Sequence, residues 1–156
     1  MTKTAKYEAL LPELTALLSE TDDLTANLAN ASALIASRFH GFSWVGFYLR
    51  KKDELILGPF QGLPACVSIA IGRGVCGTSA LKKETILVSD VHLFPGHIAC
   101  DSTSRSEIVV PLIHQGVVVG VLDVDSREVS RFDAVDQIYL EKIASILVKK
   151  VFFQKD

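Results

Sequence analysis

Two apolar segments near the C-terminal end limit the folds open to this chain. Ile108 to Ile113 and Val117 to Asp125 are rich in β-branched residues, which favour extended strands. A short connection around Gln115-Gly116 separates them, and a glycine there can adopt the positive φ that tight hairpin turns require. The two segments are therefore predicted to pair as an antiparallel β-hairpin.

The rest of the pattern predicts helices at both ends of the chain and further strands between them. Apolar residues recur at helical spacing from Tyr7 to Leu18, from Leu24 to Ile35 and from Val135 to Leu147. Further strands are predicted at Phe42 to Leu49, Glu54 to Gly58, Cys66 to Ile71 and Glu84 to Val88, and a glycine-rich segment from Gly72 leads into a short helix that ends near Lys83. We therefore expect an α+β fold in which one antiparallel sheet carries helices over one face.

The boundaries of two helices are marked by residues that cap or stop a helix. Asp23 and the two residues before it offer N-caps for the second helix, and Gly41 is expected to stop it. Asp133 is placed as part of a capping box for the last helix. With 156 residues the chain has the length of one ordinary domain, and we expect residues 1–156 to form one.

Composition excludes several classes of function. A formal net charge of -2 argues against a nucleic-acid or acidic-membrane partner, because neither is attracted to such a surface. No apolar run approaches the roughly 20 residues that a transmembrane helix needs, and the N-terminal residues Met1 to Lys6 do not resemble a signal peptide. A cytoplasmic protein is expected.

Three acidic residues lie where the predicted hairpin arms end. Asp123 and Asp125 alternate with Val124, so both carboxylates leave the same face of one strand. Glu107 begins the other arm, and pairing around the turn would bring it within reach of Asp125. Buried carboxylates are costly unless something pairs with them, so the acids either line a functional pocket or lie at a frayed, solvated strand end.

A shared pocket would change the protonation of these acids. Repulsion and burial would raise at least one pKa, and a neutral carboxylic acid near pH 7 can donate a proton. Trp44 and Tyr48 are four residues apart on one predicted strand and so share a face. They are candidates for an aromatic pocket wall, although plain core packing explains their spacing equally well.

Cysteine usage points to chemistry rather than to a disulfide framework. The chain has three cysteines, an odd number, and we expect a reducing compartment. Cys100 lies in a long polar loop after His92 and His97, where a histidine or an amide dipole could lower the thiol pKa. Two alternatives remain: small buried cysteines, or a metal site of these three residues, which would still need a fourth ligand and matches no common zinc spacing.

Several segments resemble the free methionine-(R)-sulfoxide reductases, which are stand-alone GAF domains. The resemblance lies in Gly74-Val-Cys-Gly-Thr78, Asp90-Val-His-Leu-Phe-Pro-Gly-His-Ile-Ala-Cys-Asp101, Ser106-Glu-Ile-Val-Val-Pro111 and Leu122-Asp-Val-Asp-Ser126. The Phe94 to Asp101 segment is the specific part, since other GAF domains share the fold but not this loop. The similarity runs from the second helix to the last.

This resemblance implies roles for individual residues. Cys100 would be the nucleophile, Cys66 the resolving thiol that forms a disulfide with it, and Cys76 an auxiliary thiol. Substrate-binding roles would fall to Trp44, Tyr48, Glu107, Asp123 and Asp125. The implied reaction reduces free L-methionine-(R)-S-oxide without a bound cofactor or metal, through a cysteine sulfenic acid and a disulfide that thioredoxin reduces. A homodimer is plausible from the family.

The main alternative is a non-catalytic GAF module that binds a small ligand and signals. The Asn-Lys-x-x-x-Phe-x-x-x-Asp-Glu pattern of cyclic-nucleotide modules is missing here, and Asp101 rather than histidine follows Cys100, unlike a bilin attachment site. The glycines from Gly72 to Gly77 do not have the spacing of a nucleotide-binding loop. A structural adaptor gives no reason for three acids at the ends of apolar strands. The loop cysteine and the acids therefore favour the enzyme.

Overall fold

A computed structural model describes residues 1–98, 100 and 102–152. Ala99 and Asp101, which belong to the loop motif, lie outside the described residues. The helices are α1 (Lys3–Leu18), α2 (Leu24–Arg38), α3 (Gly74–Lys82) and α4 (Ala134–Leu147), followed by a π-helical turn at Val148–Phe152. The strands are β1 (Trp44–Lys51), β2 (Glu54–Gln61), β3 (Ser68–Ala70), β4 (Ile86–Val88), β5 (Ser106–His114) and β6 (Val117–Ser126), with one 3-10 turn at Val91–Leu93.

The strands form one six-stranded antiparallel sheet in the order β3-β2-β1-β6-β5-β4. The predicted hairpin is confirmed as β5 and β6, which are joined by Gln115 and Gly116. Both turn residues have positive φ, 52° and 80°, as a tight two-residue hairpin connection requires. The turn pairs His114 with Val117, and a register shift of one residue between Leu112 and Ile113 then places Glu107 directly opposite Asp125.

Helices cover both faces of the sheet, and the expectation that they cover one face is wrong. On one face, α2 packs against β1 and β2, α4 packs against β5, and α1 lies against both helices. The short helix α3 packs on the other face, against β5 and β6. The physical reason lies in β6: Leu122 and Val124 point to the first face, while Val118 and Val121 point to the second. A strand that is apolar on both sides needs both sides covered.

A buried polar network attaches α1 to α4. Asp136, which has no exposed surface, accepts hydrogen bonds from the Tyr7 hydroxyl and the Lys3 ammonium, each at 2.7 Å. Asp136 also accepts from the backbone N–H of Asp133, and Asp133 caps the start of α4 in return. The capping box expected at Asp133 is thereby confirmed. This network holds the N-terminal helix in the same core as the rest of the chain.

Two element boundaries differ from the sequence prediction. The second helix ends at Arg38 rather than near Gly41, because Phe39 turns into extended backbone and stacks on Phe42. The third strand is shorter than predicted, so Cys66 lies in the loop that precedes it. Among the described residues, no helix combines the length and the apolar character that crossing a membrane requires.

Candidate active site

Three carboxyl groups meet on the α3 side of the sheet. Asp123 and Asp125 project from β6 on the same side as Val121, and Glu107 projects from β5 on the same side as Val109. Each acid exposes less than a tenth of its surface: 5% for Asp123, 7% for Glu107 and 8% for Asp125. The sequence left open whether these acids lie at a solvated strand end, and the structure excludes that alternative. The acids are buried together.

Burial decides the protonation of this group, which we call the acid cluster (Glu107, Asp123 and Asp125). Loss of hydration, followed by repulsion from Asp123, raises the pKa of Glu107 and of Asp125 well above the usual carboxyl range. The pKa of Asp123 is also raised by burial, but hydrogen bonds from Glu107, Asp125 and Cys76 oppose that rise. Asp123 therefore ionises most readily, and its neighbours hold protons.

The cluster has little support from ordinary hydrogen-bond donors. Ser104 Oγ donates to Asp125 Oδ2 at 3.2 Å. The Oδ1 atoms of Asp123 and Asp125 are fully buried, and no N–H or hydroxyl donor among the described residues reaches them. Buried polar atoms without donors are rare in proteins, and they are often explained by a missing ligand or water. The acid cluster is therefore arranged to receive a group from outside the protein.

Cys76 lies against the same cluster from the first turn of α3. The thiol is buried, its hydrogen bond goes to Asp123, and burial raises its pKa well above the usual thiol range. Among the described residues, the side chains of Cys76, Glu107 and Asp123 form a group that could hold a metal ion, since their ligand atoms lie within 4.8 Å of one another. The metal alternative considered for His92, His97 and Cys100 does not match this group, and the sulfur of Cys100 is bonded to Cys66.

Two aromatic side chains form one wall of the site. Trp44 pairs with Asp125 across β1 and β6, and Tyr48 lies two pleats further along the same face. Their rings stack with centroids 6.1 Å apart. Glycine is needed beneath the indole, because a Cβ at Gly46 would lie 2.7 Å from Trp44 and one at Gly62, where φ is +142°, would also collide with it.

The polar ends of both aromatic residues hold the loop that carries Cys66. Trp44 Nε1 donates to the carbonyl oxygen of Leu63 at 3.0 Å, and the Tyr48 hydroxyl donates to that of Cys66 at 2.9 Å. Beyond the cysteine, the N–H of Leu57 donates to the Val67 carbonyl at 3.0 Å. The backbone on both sides of Cys66 is thus fixed to the sheet.

Cys66 and Cys100 are joined by a disulfide, with their Cα atoms 5.2 Å apart. This is the pair that the family resemblance implies, and Cys76 is left as a free thiol. Both bonded cysteines are half-buried and pack against the same apolar cluster as Trp44 and Tyr48. The loop cysteine therefore reaches the pocket wall, which the sequence alone could not establish.

Cys100 of the disulfide, the aromatic wall and the acid cluster line one partly open pocket. His97 also lines it, and burial lowers the pKa of this histidine, so its imidazole is neutral near pH 7. His92, by contrast, is exposed and is not among the lining residues. The lining residues are Trp44, Tyr48, Ala65, Ile69, Arg73, Gly74, Val75, Cys76, His97, Ile98, Cys100, Ser104, Glu107, Asp123 and Asp125.

Sequence reasoning missed two polar contributions to this pocket. Ser104 reaches Asp125 from the loop before β5. Arg73 and the first turn of α3 form another part of the lining, and no side chain caps the N-terminus of that helix. The available signal was the glycine-rich segment before α3, since a helix that begins at a glycine exposes backbone N–H groups to an anion.

Comparison with known proteins identifies the family of this chain. Residues 21–148 match the family model of the GAF domain. The free methionine-R-sulfoxide reductase of Escherichia coli (strain K12) is 46% identical over 149 residues, which cover 96% of this chain and 90% of that protein. That of Saccharomyces cerevisiae is 48% identical over 136 residues, which cover 82% of this chain and 76% of that protein.

A solved structure agrees over almost the whole chain. The X-ray structure of the free methionine-R-sulfoxide reductase from Neisseria meningitidis, in complex with its substrate, is 48% identical and superposes with a TM-score of 0.94. The match covers 96% of this chain and 90% of that chain. Together with a cysteine pair at an acid-lined pocket, these similarities place the chain in the GAF domain family, among the free methionine-(R)-sulfoxide reductases.

Proposed function

We propose that this chain reduces free L-methionine-(R)-S-oxide to methionine with Cys100 as the nucleophile. One observation carries the proposal: Cys100, which is half-buried and bonded to Cys66, lines the same pocket as the acid cluster. A thiol and a proton donor are what sulfoxide reduction requires, and both face the same space.

The acid cluster supplies the proton. A sulfoxide sulfur is a poor electrophile until its oxygen is protonated or strongly hydrogen-bonded. Glu107 and Asp125 hold protons near pH 7, because burial raises the pKa of each, and either can donate to the sulfoxide oxygen. Asp123, the most readily ionised member, stabilises the protonated state of its neighbours.

The thiols supply the two electrons. The Cys100 thiolate bonds to the substrate sulfur, whose oxygen has been protonated. That oxygen is then transferred to the sulfur of Cys100, the bonds from the substrate sulfur to oxygen and to Cys100 break, and methionine leaves, so that Cys100 becomes a sulfenic acid. Neutral His97 is available in the pocket to accept the thiol proton. The Cys66 thiol then displaces water from the sulfenic acid, and the disulfide forms. Cys76 has the role of an auxiliary thiol, since its buried sulfur contacts Asp123 rather than Cys100.

Both charged ends of a free amino acid have counterparts in the pocket. The Asp123 carboxylate is placed to bind the substrate ammonium, and Trp44 and Tyr48 offer apolar surface to its side chain. Arg73 and the uncapped N-terminus of α3 are suited to its carboxylate. A peptide-bound methionine sulfoxide has neither charge and would leave these groups unpaired, which costs about 1–3 kcal/mol per group.

The resemblance to the family supports the remaining parts of the proposal. Thioredoxin restores the thiols by disulfide exchange, the chain acts in the cytoplasm, where thiols are kept reduced, and it forms a homodimer. Residues 1–156 form one GAF domain. Support for including α1, which precedes the matched region, comes from its burial with α2 and α4.

A thiol count in the absence of reductant tests the proposal. The reduced protein is incubated with free methionine-(R)-sulfoxide, and its free thiols are titrated. We expect the loss of two thiols per molecule, no loss with Cys100→Ser, and no loss with an N-acetylated methionine sulfoxide amide. Unchanged thiols in the wild-type protein would favour the non-catalytic ligand-binding module instead. Full thiol loss in Cys100→Ser would show that the nucleophile is another cysteine.

A further inference from the structure

Each bonded cysteine belongs to a sequence segment without acidic residues, lysine or arginine. From Leu55 to Gly72 the chain has no aspartate, glutamate, lysine or arginine, and from Val91 to Cys100 its sole ionisable groups other than the cysteine are two histidines. These two segments carry the two bonded cysteines. The first segment includes most of β2 and all of β3, and the connection between them, which carries Cys66, has no charged side chain.

Exposed apolar side chains accompany the uncharged segments. Val67, next to Cys66, exposes 72% of its surface, and Leu63, three residues before the cysteine, exposes 48%. In the second segment, Leu93 exposes 80%. Burial against a partner would stabilise such side chains, and Leu63 and Val67 both lie within three residues of Cys66.

The two sides of the disulfide are held differently. The backbone around Cys66 is fixed by three hydrogen bonds to its carbonyl oxygens. Trp44 donates to Leu63 and Tyr48 to Cys66 itself. The N–H of Leu57 donates to Val67. Around Cys100, the hydrogen bond found among the described residues is local, from its own N–H to the carbonyl of Ile98. Cys66 is thus presented on a preorganised, apolar loop.

We propose that the segment from Leu63 to Val67 is the docking surface for a protein dithiol reductant, which attacks the sulfur of Cys66. This inference rests on the proposed function, because it assigns the second half of that cycle. The reductant thiolate bonds to Cys66, the bond between Cys66 and Cys100 breaks, and its electron pair leaves on Cys100. The second reductant thiol then displaces Cys66 from the mixed disulfide, so that the reductant is oxidised and both cysteines of this chain are reduced.

The chemistry of the surface favours a protein over a small thiol. A small anionic thiol such as glutathione would need cationic side chains, and the segment from Leu63 to Val67 has none. An apolar, uncharged loop fits a partner whose reactive cysteine lies on an apolar surface of its own. Attack on Cys66 also returns Cys100 to the pocket as a thiolate, which is the form that the first step requires.

The docking surface is tested by placing a charge beside Cys66. The Val67→Glu variant is compared with Val117→Glu, which changes a similarly exposed valine (56%) at the start of β6. Each protein is oxidised with diamide, without substrate, so that the assay does not depend on methionine sulfoxide reduction. Reduction of the disulfide is then followed with thioredoxin and, separately, with dithiothreitol.

We expect thioredoxin to reduce Val67→Glu at least tenfold more slowly than wild type. Dithiothreitol should reduce the Val67→Glu and wild-type proteins at the same rate. Val117→Glu should behave as wild type with both reductants. Equal rates with thioredoxin would overturn the proposal. Equal slowing with both reductants would also overturn it, because the substitution would then act on the disulfide itself. Leu63→Glu provides a second variant with the same expectations.

Trapping identifies the sulfur that is attacked. A thioredoxin that lacks its resolving cysteine is mixed with the oxidised wild-type protein, and the mixed disulfide is mapped by peptide mass spectrometry. We expect the adduct on Cys66. An adduct on Cys100 would overturn the assignment. If the thiol count described above fails while these tests succeed, the substrate is wrong and the docking surface stands.

Discussion

Two groups of buried acids lie on opposite faces of the same sheet, and they are held in opposite ways. On the helical face, Asp136 accepts hydrogen bonds from Tyr7, Lys3 and the backbone of Asp133. On the α3 face, the acid cluster is packed against itself, and two of its buried oxygens have no N–H or hydroxyl donor among the described residues. Both groups are almost completely removed from water.

The difference separates acids that stabilise the fold from acids that serve a ligand. A carboxylate whose oxygens are satisfied by the protein contributes to folding, and it has no capacity left for a substrate. Carboxyl groups that are buried against one another cost stability, and selection retains such an arrangement where the pocket needs it. The following predictions test this contrast.

The largest effect is expected from removing a proton donor of the acid cluster. Glu107→Gln and Asp125→Asn should each lower the rate of methionine formation about 100-fold or more, because general acid catalysis typically contributes 10² to 10⁴. Stability should stay within about 1 kcal/mol of wild type or rise, since the substitution relieves repulsion between buried acids. Single-turnover rates and urea denaturation measure both. A near-normal rate in both variants would remove the cluster from the chemistry.

The opposite result is expected at Asp136. Asp136→Asn should lower the free energy of unfolding by about 2 kcal/mol. Tyr7 and Lys3 donate to different oxygens of Asp136, and in the variant one of these becomes an NH2 group and the charge-assisted bond is lost. The reduction rate per folded molecule should remain that of wild type. A variant of unchanged stability but reduced rate would break the contrast between the two faces.

A smaller effect is expected in the pH dependence of stability. The folded-state pKa values of Glu107 and Asp125 lie well above their usual values of 4.5 and 3.8. The stability that these acids contribute is therefore fully present below those usual values and is lost as pH rises through the folded-state values. Denaturation of the reduced wild-type protein should show that the free energy of unfolding falls from about pH 5 to about pH 8. In Glu107→Gln this fall should be smaller by about 1 kcal/mol or more. An equal fall in that variant would contradict the raised pKa.

The smallest effect is expected at Tyr48, which joins the acid-lined pocket to the Cys66 loop. Tyr48→Phe keeps the aromatic wall but removes the hydrogen bond to the Cys66 carbonyl. Disulfide formation should slow by about three- to tenfold, the effect of one lost hydrogen bond of about 1 kcal/mol. The preceding release of methionine should be unchanged, and trapping of the sulfenic acid by a dimedone probe should rise. Equal slowing of both steps would show that Tyr48 acts on the substrate rather than on the loop.

Much of the acid cluster could be predicted because it depends on local rules. The two-residue turn predicts an antiparallel pair with Glu107 near the Asp125 end. The direct pairing of Glu107 with Asp125 also needs the one-residue register shift between Leu112 and Ile113, which the turn does not predict and without which Glu107 would lie opposite Val124. The two-residue period of a strand likewise places Trp44 and Tyr48 on one face. The family motifs, rather than the spacing, implied the pairing of Cys66 with Cys100.

The rest depends on contacts between distant segments, which no local pattern contains. The sequence of the short helix α3 does not indicate which face of the sheet the helix covers. Neither its position nor the contact of Cys76 with Asp123 could therefore be predicted. Arg73 reaches the pocket for the same reason. The sequence predicted that Trp44 and Tyr48 share a face, but it did not indicate that their polar ends donate to the Cys66 loop.

The most direct measurement is a single turnover with peptide mapping. The fully reduced protein is given one equivalent of free methionine-(R)-sulfoxide, and methionine and cystine-linked peptides are quantified in the same sample. We predict one methionine for each disulfide between Cys66 and Cys100, with the Cys76 thiol intact. Release of methionine while Cys100 remains a thiol would contradict the account. A disulfide between Cys100 and Cys76 would also contradict it.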